Sequence, residues 1–184
     1  MFQIMMTTHI ALLRGINVGG NKGAAMADLR DLLVKLGFDD VRSLLQSGNL
    51  VFQSRERTCD QIEQLLEAET EKRLGLKTDY FVRTAAELAD VVANNPFEDE
   101  AERDPAHLVA MFLKHAPRAK QVGDLENAIV GAERIQVEGR TAYIVYPNGM
   151  GRSKLTNALI DRKLGTRGTG RNWNTVLKLA QCCR

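Results

Sequence analysis

The sequence predicts an α+β fold of two ferredoxin-like βαββαβ units with antiparallel sheets, linked by a helix and followed by a C-terminal helix. Short apolar runs that read as strands alternate with stretches of helical periodicity, and over residues 8–83 they follow the order β-α-β-β-α-β. The same order recurs beyond an acidic stretch near residue 100. On this reading residues 1–95 form one unit, carrying a Gly-rich corner and the connecting helix, and residues 96–184 form the other.

Residues 9–14 (HIALLR) are apolar and stopped by Gly15, the pattern of a buried strand. Met26, Leu29, Leu33 and Leu36 then recur at helical spacing, and Gly37 with Phe38 is a C-terminal stop in which Phe38 folds back toward Leu33. Residues 41–45 and 50–53 are strands joined by Gln46-Ser47-Gly48-Asn49, a turn in which Gly48 tolerates positive φ. Thr58 with Gln61 is a capping box opening a helix that carries Ile62, Leu65 and Leu66 and stops at Gly75. Residues 78–82 are the fourth strand.

Thr84 with Glu87 starts the connecting helix, which ends before Asn94-Asn95-Pro96, and the acidic residues 98–104 read as a surface linker. The second pass places a strand at 108–113, a helix at 120–130, a hairpin over 133–146 about Gly139, a helix at 154–164 and a strand at 166–170. Trp173, Val176, Leu177 and Ala180 give the last helix an inward face. The repeat is one of architecture, without convincing residue-by-residue identity between the halves.

With 184 residues, 44% apolar and 26% charged, the chain is long enough to bury a core. Lys and Arg (25) nearly balance Asp and Glu (23), and the net charge of +2 falls short of the balance of a dedicated nucleic-acid binder. Cys59, Cys182 and Cys183 make an odd count without C-x-x-C spacing, which argues against a disulfide framework or zinc site and for a reducing compartment. The first eight residues lack the charged start and apolar run of a signal peptide, Met5 and Met6 are alternative starts, and no run of about 18 apolar residues occurs. A cytoplasmic protein without a membrane segment is expected.

The stretch from Arg14 to Lys22 (RGINVGGNK) is a Gly-rich strand-to-helix loop ending in a lysine. It is not a Walker loop, because Asn21 separates Gly20 from Lys22 and Gly23 stands where the magnesium-binding hydroxyl belongs. It holds no G-x-G-x-x-G spacing either. What survives is general anion chemistry: glycines free backbone N–H groups, a helix start adds partial positive charge, and Arg14 and Lys22 add full charges. A tight turn alone would also explain the glycines. The fold order places the turn between strands two and three at the same sheet end, so Gln46, Ser47 and Asn49 are expected beside Arg14 and Asn17.

A second polar concentration is C-terminal: Arg152, Lys154, Arg162 and Lys163, then Arg167, Arg171, Asn172 and Trp173. Clustered arginines beside one aromatic suit phosphate and base contacts. Against this, Trp173 leads an inward stripe and Asn172 suits a helix N-cap. His9, His107 and His115 show no ligand spacing, so no metal site is expected. Cys59 opens a helix without an identifiable histidine partner. Asp28, Asp31, Glu63, Glu67 and Glu71 are assigned to solvated outer helix faces.

LLRGINVGGNK, the hairpin segment VRSLLQSGNLVFQS, RSKLTNALIDRKLG and TGRNWNTVLKL together resemble the widespread bacterial family known as domain of unknown function 1697, over residues 8–179. The resemblance implies a small cytoplasmic α+β protein with two ferredoxin-like parts, and it brings no activity, cofactor or catalytic residue. The matching positions are Arg14, Gly15, Asn17, Gly19, Gly20 and Lys22, then Gln46, Ser47, Gly48 and Asn49, then Arg171, Asn172 and Trp173. Gly23-Ala24-Ala25 departs from the bulkier residues of the family pattern.

The leading reading is a binding protein for a phosphate-bearing small molecule or nucleotide, held by Arg14, Gly15, Asn17, Gly19, Gly20, Lys22, Gln46, Ser47 and Asn49. An enzyme acting on such a molecule is the alternative, short of a nearby titratable group. A protein-interaction module is another, because strands apolar on both sides must bury a second face, within a monomer or in a homodimer. Nucleic-acid binding through Arg152, Lys154, Arg167, Arg171 and Asn172 ranks last, and no cofactor is expected.

Overall fold

The structure, a computed structural model, describes residues 6–15, 26–45, 48–55 and 57–183. Two compact units make up the chain: Met1–Asp90 with Leu179–Arg184, and Val91–Lys178.

In the first unit β1 (Thr7–Leu13), α1 (Met26–Lys35), β2 (Asp39–Ser43), β3 (Asn49–Ser54), α2 (Cys59–Leu74) and β4 (Tyr80–Thr84) follow one another. The sheet is antiparallel with order β2-β3-β1-β4, the ferredoxin-like arrangement expected from the chain order. Local signals set the helix ends. Gly37 has φ of 83°, and the Phe38 N–H donates to Leu33 O at 3.1 Å, turning Phe38 onto Phe52 with ring centroids 4.8 Å apart. Thr58 and Gln61 form the predicted capping box, and Gly75 ends α2 at φ 63°.

Alternate residues of the strands, Ala11, Leu13, Leu50, Phe52, Tyr80 and Val82, pack under Leu29, Leu33, Ile62 and Leu66 of the two helices. The strand positions between them, Ile10, Leu12, Val51 and Phe81, are equally withdrawn from solvent, so the second face is buried as well.

The edge strand β4 is closed from α2. The Tyr80 N–H donates to Glu67 Oε1 at 3.0 Å and the Val82 N–H to Glu63 Oε1 at 2.8 Å. Glu63 is buried and stands 3.7 Å from Arg83 Nη1, itself buried. The expectation of solvated charges therefore fails at Glu63 and Glu67: an edge strand presents a row of unpaired N–H groups, and carboxylates one turn apart on the overlying helix can accept them. On the opposite edge, β2 carries a register irregularity between Asp39 and Arg42, with Asp40 at φ 47°.

A third helix, α3 (Ala85–Ala93), leads from the first unit into the second. It opens on the predicted Thr84–Glu87 box, the Glu87 N–H donating to Thr84 Oγ1 and the Thr84 N–H to Glu87 Oε2. Beyond it the acidic stretch is not a linker but α4 (Glu98–Arg103). Three carboxylates, Glu98, Asp99 and Glu100, occupy its first turn, where the helix dipole favours them. Arg134 joins it to the sheet, pairing with Glu100 and lying over the Phe97 ring.

The second unit continues with β5 (Leu108–Leu113), α5 (Ala119–Glu126), β6 (Arg134–Glu138), β7 (Thr141–Val145), α6 (Asn157–Leu164), β8 (Gly168–Asn172) and the start of α7 (Trp173–Cys182), whose residues from Leu179 on belong to the first unit. Its sheet order β6-β7-β5-β8 repeats the first. Helix α6 starts later than predicted because Thr156, not a residue before Lys154, supplies the N-cap, its Oγ1 accepting from the Leu159 N–H. Val109, Met111, Leu113, Ala142, Ile144 and Tyr146 pack against Leu125, Leu155, Ile160 and Leu164. On the other face Tyr143 donates its hydroxyl to Val91 O at 2.8 Å and lies against the buried Trp173. The edge strand β8 is closed as β4 is, the Gly168 N–H donating to Asp161 Oδ1 at 3.1 Å.

Candidate functional site

Strand β1 ends at the corner singled out by the sequence. Backbone bonds hold that end from both sides: the Leu13 N–H donates to Gly48 O at 2.9 Å, and the Arg14 N–H to Asp79 O at 3.1 Å. Thr78 adds its hydroxyl, donated to Arg14 O at 3.0 Å. Two positions here require glycine. Gly15 turns the chain at φ 67°, and Gly48, at φ 74°, comes so close to β1 that a Cβ would lie 3.2 Å from that of Leu13.

Asn49 is fully buried beneath the hairpin, where its Nδ2 donates to Leu44 O at 3.0 Å while Leu44 N–H donates to Asn49 O. It braces the turn. Of the remaining candidates, Asn17, Gly19, Gly20, Lys22, Gln46 and Ser47 lie outside the described residues. Thr78 and Asp79, brought to the corner beside β1, were read from the sequence only as the start of the fourth strand and not as site residues. Their only signal was their place at the start of the strand that pairs with β1. Asp79 enters the corner through its backbone carbonyl, which accepts the Arg14 N–H.

The C-terminal candidates are not equivalent to one another. Arg171 folds along its own strand, Nη1 donating to Thr169 Oγ1 and Gly170 O, and burial lowers its pKa to about 10, so it is still charged at neutral pH. Asn172 accepts from the Thr175 N–H as an N-cap does, and Trp173 is buried. Arg152, Lys154 and Arg167 are exposed.

A thiol and a carboxylate do meet in the first unit, at the other end of its sheet. Cys59 Sγ lies 3.5 Å from Glu87 Oε2. Glu87 opens α3 beside Thr84, which pairs with His9. Four residues of β1, roughly 13 Å of extended chain, separate His9 from Leu13. His9 is buried against Phe52, and that burial holds its pKa below 6.5, opposed by its bond to Thr7 O and by Glu87.

His107 bonds Asp104 at the surface, Nδ1 to Oδ2 at 2.6 Å, and His115 is exposed on the other side of β5. Among the described residues no three His, Cys, Asp or Glu side chains form a group able to hold a metal ion, and no helix is long and apolar enough to cross a membrane. A shallow depression between α1 and α2, lined by Asp28, Asp31, Leu32, Lys35, Arg73 and Leu74, mixes both signs of charge and includes none of the candidate residues.

The same architecture occurs in the solved structure of a conserved bacterial protein from Streptococcus pneumoniae, 24% identical, covering 98% of this chain and 100% of that one with a TM-score of 0.76. That similarity speaks for the two-unit fold and not for an activity. No curated protein matches the chain. The family model described as "Protein of unknown function (DUF1697)" matches residues 6–143, which takes in the corner at Arg14, the hairpin and most of the second unit. With three quarters of its length matched by that model, the chain belongs to the DUF1697 family.

Proposed function

We propose that the protein binds a phosphate-bearing small molecule or nucleotide at the corner where β1 ends. The observation that supports this reading is the junction of two separate polar segments. The Leu13–Gly48 bond joins the end of β1, from which the RGINVGGNK segment departs, to the QSGN segment, and two polar segments that leave one sheet end can offer amides and side chains to a single anion. Arg14 and Lys22 supply charge, the glycines Gly15, Gly19 and Gly20 leave backbone N–H groups open to an anion, and Asn17, Gln46 and Ser47 supply neutral donors and acceptors. Asn49 supports the site by bracing the hairpin.

Binding is preferred over catalysis because the thiol and carboxylate pair of Cys59 and Glu87 stands at the opposite end of the sheet. Calorimetric titration with inorganic phosphate and with ATP tests the reading. The expected result is binding that weakens at least about tenfold in Arg14→Ala and Lys22→Ala. Absence of heat with both ligands, or equal affinity in both variants, overturns it.

A further inference from the structure

The three histidines stand in different surroundings. His9 is buried and bonds the Thr7 carbonyl, and His115 is exposed. His107, with its side chain 42% exposed, has its ring held by a carboxylate: Nδ1 lies 2.6 Å from Asp104 Oδ2. An ionised carboxylate only accepts, so Nδ1 carries the proton and the lone pair of the neutral ring is on Nε2.

Backbone bonds fix the frame around that nitrogen. The His107 N–H donates to Asp104 O at 3.1 Å, the Tyr146 N–H to His107 O at 2.8 Å, and the Gly149 N–H to Tyr146 O at 2.9 Å. The chain after β7 thus turns back beside the start of β5, and Gly149, at φ 82°, comes next to the ring. A Cβ there would lie 3.7 Å from Nε2, so glycine leaves the nitrogen uncovered on that side. The Arg152 N–H donates to Gly149 O at 3.3 Å, which sets an exposed arginine one turn from the same glycine.

We propose that His107 is a phosphoryl acceptor, a nucleophile toward small acyl phosphates or phosphoramidates, with Asp104 as its positioning residue. The Nε2 lone pair attacks phosphorus and an N–P bond forms. The P–O bond to the acyl group breaks and its electron pair leaves with the carboxylate; from a phosphoramidate the P–N bond breaks and ammonia leaves, protonated from solvent. Nδ1 keeps its proton, and Asp104 stabilises the cationic ring as the carboxylate of a catalytic triad does. The Arg152 guanidinium supplies a planar fork for the phosphoryl oxygens, which favours a phosphoryl group over a neutral acyl group. Of the carboxylates at this end of the unit, Asp104 is turned to Nδ1 and Glu133 is bonded to Ser153.

Incubation of the full chain with acetyl phosphate and, separately, with potassium phosphoramidate tests the proposal. The readout is peptide mass spectrometry in alkali, where phosphohistidine survives. Phosphoryl should appear on His107 at Nε2, at least about tenfold faster than on His115, and at least about tenfold more slowly in Asp104→Asn, whose amide no longer dictates the tautomer. Arg152→Ala should slow the transfer about threefold, and Arg152→Lys should keep most of the rate. Nitrogen NMR of the wild-type imidazole should find the proton on Nδ1, and far-UV circular dichroism checks that each variant folds. No phosphoryl on His107 with either donor, a rate at His115 equal to that at His107, or a proton on Nε2 overturns the proposal. So does an unchanged rate in Asp104→Asn or in Arg152→Ala. The comparison of His107 with His115 is made within one wild-type molecule and needs no variant. Phosphate binding at the first-unit corner is read by calorimetry on Arg14 and Lys22 variants, so the two sites fail separately.

Discussion

The two sheets share a strand order and distribute bulk across it differently. In the first unit the central strand is small where its edge neighbour is large, Ala11 pairing with Val82; in the second, Met111 pairs with Gly170. Two pairs along the ladder, on the same face, Leu13 meets Tyr80, while Leu113 meets Gly168. The glycines are needed there: a Cβ on Gly168 would lie 2.9 Å from Leu113 Cδ2 and Met111 Cγ, and one on Gly170 2.9 Å from Val109 Cγ1. What the two units share is a ladder, not residue identities. Some chemistry does recur at matching positions. Arg83 faces Ile10 and Arg171 faces Ala110, and each donates from Nη1 to the carbonyl of the residue before it.

The comparison breaks most visibly at the carboxylates that close the edge strands. Glu63→Ala removes the acceptor of the Val82 N–H and a carboxylate beside the buried Arg83, and we expect a loss of about 3 kcal/mol in urea denaturation. Asp161→Ala, which removes the acceptor of Gly168 at a less buried place, should lose about 1 kcal/mol. Equal losses would mean that the buried Arg83 adds nothing to the difference.

Next in size is the exchange of bulk. Gly170→Val should destabilise by about 1–3 kcal/mol through overpacking against Val109, and adding Val109→Ala, which removes the methyl that a Cβ there meets, should recover part of that loss. Additive losses in a double-mutant cycle would refute the idea of a shared volume.

The smallest effect belongs to His9, whose counterpart in the second ladder is the apolar Val109. Burial depresses the folded pKa of His9, so below pH 6.5 the unfolded chain binds the proton more readily. Its contribution to stability is full above pH 6.5 and is lost as pH falls through the folded value. His9→Phe should flatten the pH dependence of the melting temperature in that window, and an unchanged slope would assign the dependence to other groups.

Much of the first unit is legible from the chain because its signals are local. Thr58–Gln61, Thr84–Glu87 and the glycine stops at 37 and 75 act within a few residues, and each is seen in place. What was misread depends on distant partners. Glu63 and Glu67 look like solvated helix charges until β4 is brought alongside. The 98–104 stretch looks like a linker because its carboxylates repel in a coil, whereas one helical turn sets them at the favourable dipole end. Lys154 carries helical spacing, but Leu155 is drawn into the core, where its carbonyl accepts from the Tyr146 hydroxyl, and the helix waits for Thr156.

At the corner, chain order alone implied that the hairpin would approach Arg14, and the Leu13–Gly48 bond is one such approach. Asp79 escaped because strand register, not spacing, carries it there.

The carboxylates that reach over β4 and β8 also bear on whether another chain can add a strand to the sheets. A free strand edge is a template for another chain, and both of these edges have N–H groups already bound to a side chain of their own unit. The opposite edges use other means, an irregular register with Asp39, Asp40 and Arg42 on β2, and Arg134 and Glu138 at the two ends of β6. A peptide seeking to add a strand would have to displace a carboxylate at one edge or meet charge at the other. Recognition through the ladders is thereby discouraged, which leaves the strand ends and loops as the surfaces on which a ligand can act.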